Sequence, residues 1–522
     1  MAVKTNKLII LFLTIPLFLI ILSGCKKEAL FIDENLSYEL ANNNNNGFFY
    51  CVFDDGKEYN GDEVFLNSVL AGRNKRFDYK NVWKNQSNDV HPPLYYALLH
   101  SVCSIMPDTF SKWQGIGINL IFAAVTLLFL YKMTNKIILS EVGSILIVLG
   151  YGITESFIDA GIFIRMYMML NAVVAITSYL YYKLLYEKNE NIKFYLVLTV
   201  VVTAGVLTQY FFLIYLFFLT VISIWILLTK KRYMAIIRLG FSLAISAIAS
   251  YMVFPAMIYH IFKGYRGKES FNNLVSNSSF TRNIKMYMHY VLKGITGYPV
   301  ILTAITIVVL LMILVFGKKG GDFCKSGWIR SLPFLLSSFC FIIVVAKISP
   351  QFAERYIWCV APLVFSCMMT LFYSLLIFNG NRKTKMVILA ATVLICGGST
   401  LFSGLMYDFD ECHQSIENVS KHSDNPCIYI YLPEIYYMTV DNYPELKDYD
   451  NLVYYASDNL NYNSMTKNYN KQQVVLISTP VENRDEIINK IRDEGGYKKV
   501  ELLTVDGHDL GVESYLLSKN EE

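Results

Sequence analysis

The sequence predicts a polytopic α-helical membrane protein with about eleven spanning helices, a long first extracytoplasmic loop carrying surface helices, and a small C-terminal α/β extracytoplasmic domain. Three observations predict it. The 522 residues are 54% hydrophobic and only 17% charged, far more apolar than a soluble core needs, and the apolar residues fall in long runs. Lys and Arg collect in alternate loops between those runs. After Tyr407 the apolar runs stop, and strand and helix patterns take over.

The first run, Leu8 to Leu22, follows Lys4 and Lys7, so its amino end is expected in the cytoplasm. Residues 1–23 form this first span. Leu22-Ser23-Gly24-Cys25 also reads as a lipoprotein cleavage site, which would remove the helix leading into the first loop. Residues 24–112 are that loop. It holds the low-complexity run Asn42 to Asn46, a solvated turn by composition, and two short stretches of helical apolar spacing, Asp62 to Ala71 and Leu94 to Ile105. Neither is long enough to span, so both are expected at the membrane surface.

Spans are then expected at about 114–131, 137–157, 165–186, 194–208, 211–229, 237–259, 296–316, 331–348, 357–378 and 386–405, within a membrane domain of residues 113–408. The inner loops so defined carry Lys132 and Lys136; Lys183, Lys188 and Lys193; Lys230, Lys231 and Arg232; Lys318, Lys319, Lys325 and Arg330; and Arg382, Lys383 and Lys385. One outer loop, 260–295, breaks the trend with Lys263, Arg266, Lys268, Arg282 and Lys285. Residues 409–522 are extracytoplasmic by parity. Cys427 to Leu432, Val453 to Ala456, Val474 to Ser478 and Lys499 to Thr504 read as strands, and Asn483 to Arg492 as a helix closed by Gly495-Gly496. Glu482, Asp485, Glu486 and Asp493 look like a solvated face of that helix. The ten Cys show no metal spacing. Cys340, Cys359, Cys367 and Cys396 lie in apolar runs as packing residues, while for Cys412 and Cys427 a disulfide is one reading.

Polar residues at the outer ends of these spans carry the chemistry. Asp62-Glu63 opens a short amphipathic stretch, where acidic residues also serve simply as first-turn charge. The same loop holds Asp89-Val90-His91-Pro92-Pro93-Leu94-Tyr95-Tyr96, in which the Pro-Pro pair disfavours helix before it and presets one after it. Asp89 and His91 are thereby fixed at a helix start. Arg165, in FIRMYMML with Tyr167, and Arg355, followed by Tyr356 in SPQFAERYIWCVAP, lie at two further outer span starts. Two guanidinium groups there suit a lipid phosphate, which they grip in bidentate fashion. Gln209 and Tyr210 in TQYFF sit at another boundary, where an aromatic belt is the simpler reading. Asp54, Asp55 and Glu58 read as surface charge.

The order and sidedness of Asp-Glu, HPPLYY, Arg-Met-Tyr and Glu-Arg-Tyr resemble the GT-C membrane glycosyltransferases, in particular the protein O-mannosyltransferase and aminoarabinose transferase group of family 39 type. The likeness covers roughly residues 8–405. It implies a sugar donor carried on a polyprenyl phosphate and a lipid, glycan or protein acceptor on the outer face of the cell membrane. It further implies Asp62 as general base with Glu63 beside it, and inversion at the anomeric carbon. Asp89, His91, Tyr95, Arg165, Tyr167, Gln209, Tyr210, Arg355 and Tyr356 are then candidate substrate contacts, and the basic loop adds Lys263 and Arg266. Related sequences often carry His where this chain has Gln209, so no metal or proton-transfer role carries over there. The resemblance implies no cofactor, although Asp62, Glu63, Asp89 and His91 offer oxygen and imidazole groups able to take a divalent ion.

Two other classes fit less well. A transporter or lipid flippase places polar groups near the bilayer midplane and shows internal repeats; here the midplane stretches are nearly free of charge. A membrane-anchored sensor would need neither so many spans nor a carboxylate-rich first loop. Nothing in the composition points to nucleic acid.

Overall fold

The computed structural model describes residues 2–44, 53–54, 56–188, 190–276, 280–297, 327–349, 351–377, 382–401, 404–466, 472–505, 507 and 510–519. The expected span at 296–316 beyond its first two residues, its inner-loop Lys318, Lys319 and Lys325, the end of the Asn run and Asp55 lie outside them. The chain forms two compact units. The first comprises Met1–Gly24, Gln86–Tyr95 and Gly115–Met406; the second comprises Cys25–Asn85, Tyr96–Gln114 and Tyr407–Glu522.

The first unit is helical. Among the described residues five helices are long and apolar enough to cross a membrane: Lys112–Ile138, Tyr167–Glu187, Phe211–Thr229, Tyr233–Val253 and Gly327–Ile348. A sixth is added if Glu141–Gly152 and Glu155–Ile162, bent by 60° at the break between them, make one span. Ile192–Thr208, Trp358–Ser374 and Met386–Thr400 are shorter apolar helices. Where a single span was expected over 137–157, the chain instead breaks at Thr154. The next helix, Glu155–Ile162, ends just before Arg165.

The amino-terminal helix, Ala2–Lys26, runs through the Leu22-Ser23-Gly24-Cys25 motif without a break. It is packed closely into the first unit. A methyl group at Gly152 would come within 2.4 Å of Pro16, and one at Gly161 within 2.5 Å of Ile20. These contacts make the helix part of the first unit's packing.

The second unit is built on a six-stranded sheet in the order β1-β3-β2-β4-β6-β5. Its strands are β1 (Glu58–Tyr59), β2 (Cys427–Tyr431), β3 (Leu452–Ala456), β4 (Gln472–Ser478), β5 (Lys499–Leu502) and β6 (Val512–Ser518). The parallel trio β3-β2-β4 is central, and its strands are almost continuously apolar because both faces are covered. The helix Arg484–Gly495 lays Ile487, Ile488 and Ile491 on Ile428, Ile430, Val475 and Ile477. It ends, as expected, on Gly496 in the left-handed region (φ +65°) that glycine tolerates.

Four of these strands match the sequence expectation within a few residues. β6 was not expected, and β1 comes from the first loop, pairing antiparallel with β3 through Glu58 opposite Val453 and Tyr59 opposite Leu452. The surface helices of that loop form as Gly61–Val69 and Leu94–Ile105. Cys412 and Cys427 are buried and not joined in a disulfide, which corrects the disulfide reading. Cys427 lies at the start of a central strand, and Cys412 at the start of the His413–Ser420 helix. Beneath the Ile32–Asn42 helix, Lys27 and Glu34 form a fully buried ion pair at 2.9 Å. Asp441 accepts from Asn35 Nδ2 at 2.8 Å, and burial, reinforced by Glu39, Asp33 and Glu34, pushes its carboxyl well above the usual range.

Candidate active site

Each candidate side chain in the first unit leaves from a place where the backbone is forced to turn. Asp89 precedes the Pro-Pro pair and closes a tight turn on His91. Its Oδ2 accepts the His91 backbone N–H at 3.2 Å and the His91 Nδ1–H at 2.7 Å. Asp89 is 9% exposed. Burial alone would raise its carboxyl, but the charge and hydrogen bond of His91, joined by the charge of Arg165, hold it below the ordinary carboxylate value. An ionised Asp89 fixes the His91 proton on Nδ1.

Arg165 occupies the turn between Glu155–Ile162 and Tyr167–Tyr182. Carbonyls at a helix end need partners. Here Asn119 Nδ2 supplies them, donating to Gly161 O at 3.2 Å and Phe163 O at 2.8 Å. Ile164 is held against Gly115 so tightly that a Cβ there would lie 2.1 Å from it. The guanidinium is thus presented from a rigid turn, 4% exposed, and its charge is felt by both Asp89 and Tyr265.

The basic loop supplies a group that the sequence did not single out. Pro255 follows the end of Tyr233–Val253, and the short helix Met257–Phe262 then buries His260, 3% exposed. His260 Nε2 lies 3.2 Å from the Ser87 carbonyl oxygen, which can only accept, so this nitrogen carries the proton. Burial lowers the imidazole below its usual value, against the opposing pull of Ser87 and Asp89, and His91 lowers it further. In the neutral ring Nδ1 is the acceptor, and Tyr210 O–H donates to it at 3.0 Å. His260 therefore ties the basic loop to the segment before Asp89 and sets the direction of the Tyr210 hydroxyl. Its only sequence signal was a histidine just past a helix-ending proline.

Around this centre lie most of the other candidates. Gln209 Oε1 accepts the Tyr210 N–H at 2.8 Å, so it orders the turn. Arg266 stacks over Tyr265 at 5.2 Å, pairs with Glu269 at 2.8 Å and is electrostatically coupled to Tyr356. Arg355 lies over Phe163 at 5.9 Å and Tyr356 at 5.6 Å, with Glu354 at 4.0 Å. Lys263 is exposed at the end of its helix. Tyr95 and Tyr167 are buried, the latter edge-on to Trp358 at 5.8 Å. The structure thus gathers Asp89, His91, Arg165, Tyr210, Arg266 and Tyr356, with His260 and Tyr265 added.

Asp62 and Glu63 belong to the second unit. They open the Gly61–Val69 helix, where Asn60 Oδ1 accepts the Glu63 N–H at 3.1 Å as an N-cap. Asp62 Oδ1 accepts from the Tyr443 hydroxyl at 2.8 Å, while Glu63 is exposed. Among the described residues no group of three or more His, Cys, Asp and Glu is arranged to hold a metal ion.

Solved structures with the same architecture are known. One, ArnT from Cupriavidus metallidurans bound to undecaprenyl phosphate, matches with a TM-score of 0.54 at 9% identity, over 98% of each chain. Another, the apo state of the same protein, matches with a TM-score of 0.52 at 11% identity, again over 98% of each chain. The chain has the GT-C fold. No family model and no curated protein matches it. The likeness spans almost all of both chains, the second unit included. The resemblance in the sequence had reached only to about residue 405.

Proposed function

We propose that this GT-C chain is an integral membrane glycosyltransferase that moves a sugar from a polyprenyl-phosphate donor to a lipid, glycan or protein acceptor on the extracytoplasmic face. The observation that carries the proposal is the cluster of Asp89, His91, Arg165, Tyr210, His260, Tyr265 and Arg266 in a fold whose solved example holds undecaprenyl phosphate. A cationic, hydrogen-bonding site at the ends of apolar helices suits a phosphate whose lipid tail stays in the bilayer. The amino terminus is cytoplasmic in this reading, and both units present their polar sites outside.

The chemistry follows from the groups. The acceptor hydroxyl attacks the anomeric carbon and gives its proton to Asp62, because a neutral hydroxyl is a poor nucleophile. The bond from that carbon to the phosphate oxygen breaks with its electron pair, and polyprenyl phosphate leaves. Arg165, Arg266 and Arg355 offset the charge that develops on the departing phosphate. A single displacement inverts the anomeric configuration. The bent helix pair with Glu155 and Asp159 is a feature that transporters also use. Here, however, both Asp159 oxygens accept the Met406 N–H at 3.2 Å, a structural task.

The test is transfer in vesicles. Purified protein is supplied with short-chain polyprenyl-phosphate aminoarabinose or mannose together with envelope lipids, glycans and proteins. The expected result is release of polyprenyl phosphate that depends on the acceptor. Movement of intact donor across the bilayer with no cleavage of either would overturn the proposal in favour of a flippase.

His260 and Tyr210 give a second expected result. While His260 is neutral, Tyr210 spends its proton on Nδ1 and offers the site only an acceptor. Protonation of His260, below the ordinary imidazole value of about 6.5, turns Tyr210 into a donor. The donor KM is therefore expected to fall as pH drops through this range, and Tyr210→Phe to lose that dependence. An identical pH profile of KM in the Phe variant would count against this role.

A further inference from the structure

Asp62 and Tyr443 are 381 residues apart in sequence and directly bonded in the second unit. The C-terminal domain makes several separate attachments to the chain just before and after Asp62. β1 is paired with β3. Asn60 Nδ2 donates to Asp450 Oδ1 at 2.7 Å, and Gly61 N–H donates to the Tyr449 carbonyl at 2.9 Å. Gly61 itself rests on the backbone of Leu446, where a Cβ would lie only 2.0 Å from the carbonyl oxygen. One helical turn beyond Asp62, Phe65 stacks on the Tyr443 ring with centroids 4.0 Å apart and planes at 18°. Phe110 closes edge-on against Phe65 at 4.9 Å and Tyr443 at 6.0 Å.

The backbone contacts and the ring stack suffice to hold the start of the Gly61–Val69 helix. The Tyr443 hydroxyl adds one more bond, and its partner is the carboxylate itself. Its position needs a separate explanation, and the carboxylate supplies one. A side chain that must take a proton from an incoming nucleophile loses efficiency if it rotates freely. A hydrogen bond to one oxygen stops the rotation and leaves the other oxygen to accept.

We infer that Tyr443 is a positioning residue for the Asp62 carboxylate, and that the segment Tyr443–Asp450 gives the C-terminal domain a direct part in transfer. The inference rests on the reading of Asp62 as general base. In the reaction, Tyr443 keeps its own proton: it donates to Asp62 Oδ1 before and after the other oxygen takes the acceptor proton. Burial, followed by the hydrogen bond and charge of Asp62, pushes the phenol above its ordinary value, which keeps it a donor through the working pH range.

The test uses the full chain in vesicles, with whichever polyprenyl-phosphate sugar the wild type turns over. Tyr443→Phe keeps the Phe65 stack and removes only the hydroxyl. It is expected to lower kcat by about 10- to 100-fold, with donor KM within about 2-fold and only a small fall in melting temperature. Gly61→Ala, which must push the helix start off Leu446, is expected to lower kcat at least as far. Wild-type kcat in Tyr443→Phe, or a change in donor KM alone, would overturn the positioning role. Wild-type kcat in Gly61→Ala would overturn the part given to the backbone contact. Asp62→Asn separates the two levels. If it is fully active, the base assignment itself fails; if it is inactive while Tyr443→Phe is normal, only the positioning inference fails.

Discussion

Asp62→Asn is expected to lower sugar transfer by about 10²- to 10⁴-fold, the usual contribution of a general base, with membrane insertion and melting temperature near those of the wild type. The physical argument turns on how little else the substitution changes. Asn has the shape of Asp, and its amide oxygen can still accept the Tyr443 hydroxyl that Asp62 Oδ1 accepts at 2.8 Å. The N-cap of the helix is Asn60, not Asp62, so the helix start keeps its hydrogen bond to Glu63 N. What disappears is the ability to take a proton. Initial rates of polyprenyl phosphate release measure the effect, and full activity in the variant would remove Asp62 from the mechanism. Because the seat is intact, the loss should fall on kcat and leave the donor KM close to normal.

Arg165→Ala is the second large effect, and it should fall on the other parameter. Arg165 is nearly buried in a turn whose carbonyls are held by Asn119, and its charge helps keep Asp89 ionised against burial. Its removal takes away one donor to the phosphate and leaves a buried carboxylate with less compensation. The donor KM is expected to rise by about 10²-fold, as loss of a charge-assisted contact in a desolvated site would predict. Arg355→Ala should show a smaller rise. That guanidinium is held over the rings of Phe163 and Tyr356 and shares its charge with Glu354. Donor dependence unchanged in both variants would exclude the two arginines from the phosphate site. Arg165→Lys keeps the charge without the planar fork, so partial recovery of KM would identify charge as the larger part of the contribution.

Much of the first-unit site was visible in the sequence because polar groups are conspicuous where long apolar runs begin and end. Asp89 and His91 stood out beside Pro-Pro, Arg165 and Arg355 at span starts, and Gln209-Tyr210 between two spans. His260 did not, because a single histidine among Phe254, Tyr259 and Phe262 is indistinguishable from an interfacial belt until its partners are known. Tyr95 stood out for its place in the HPPLYY motif, yet the fold buries it completely. The bend between Gly152 and Glu155 was also hidden. Its residues are apolar enough to read as one span, and at the break Thr154 Oγ1 donates to the Tyr151 carbonyl while the Glu155 N–H donates to Thr400 Oγ1, a partner 245 residues away.

In the second unit the boundary between local and tertiary information is sharper. β2, β3 and β4 were legible because buried parallel strands are continuously apolar, and the Arg484–Gly495 helix because it is amphipathic and capped by glycine. β6 was not, since Glu513 and Ser514 interrupt its apolar pattern, and two-residue β1 is too short to carry any period. Hydropathy by itself determined that the chain is a multi-span helical protein with a polar first loop and a C-terminal α/β domain, because the partition of side chains between lipid and water is a local property. Only the tertiary structure decided that Asp62 answers to Tyr443 and that His260 governs Tyr210. Those are hydrogen bonds between distant segments, and neither partner carries a mark of the other in its own stretch of sequence.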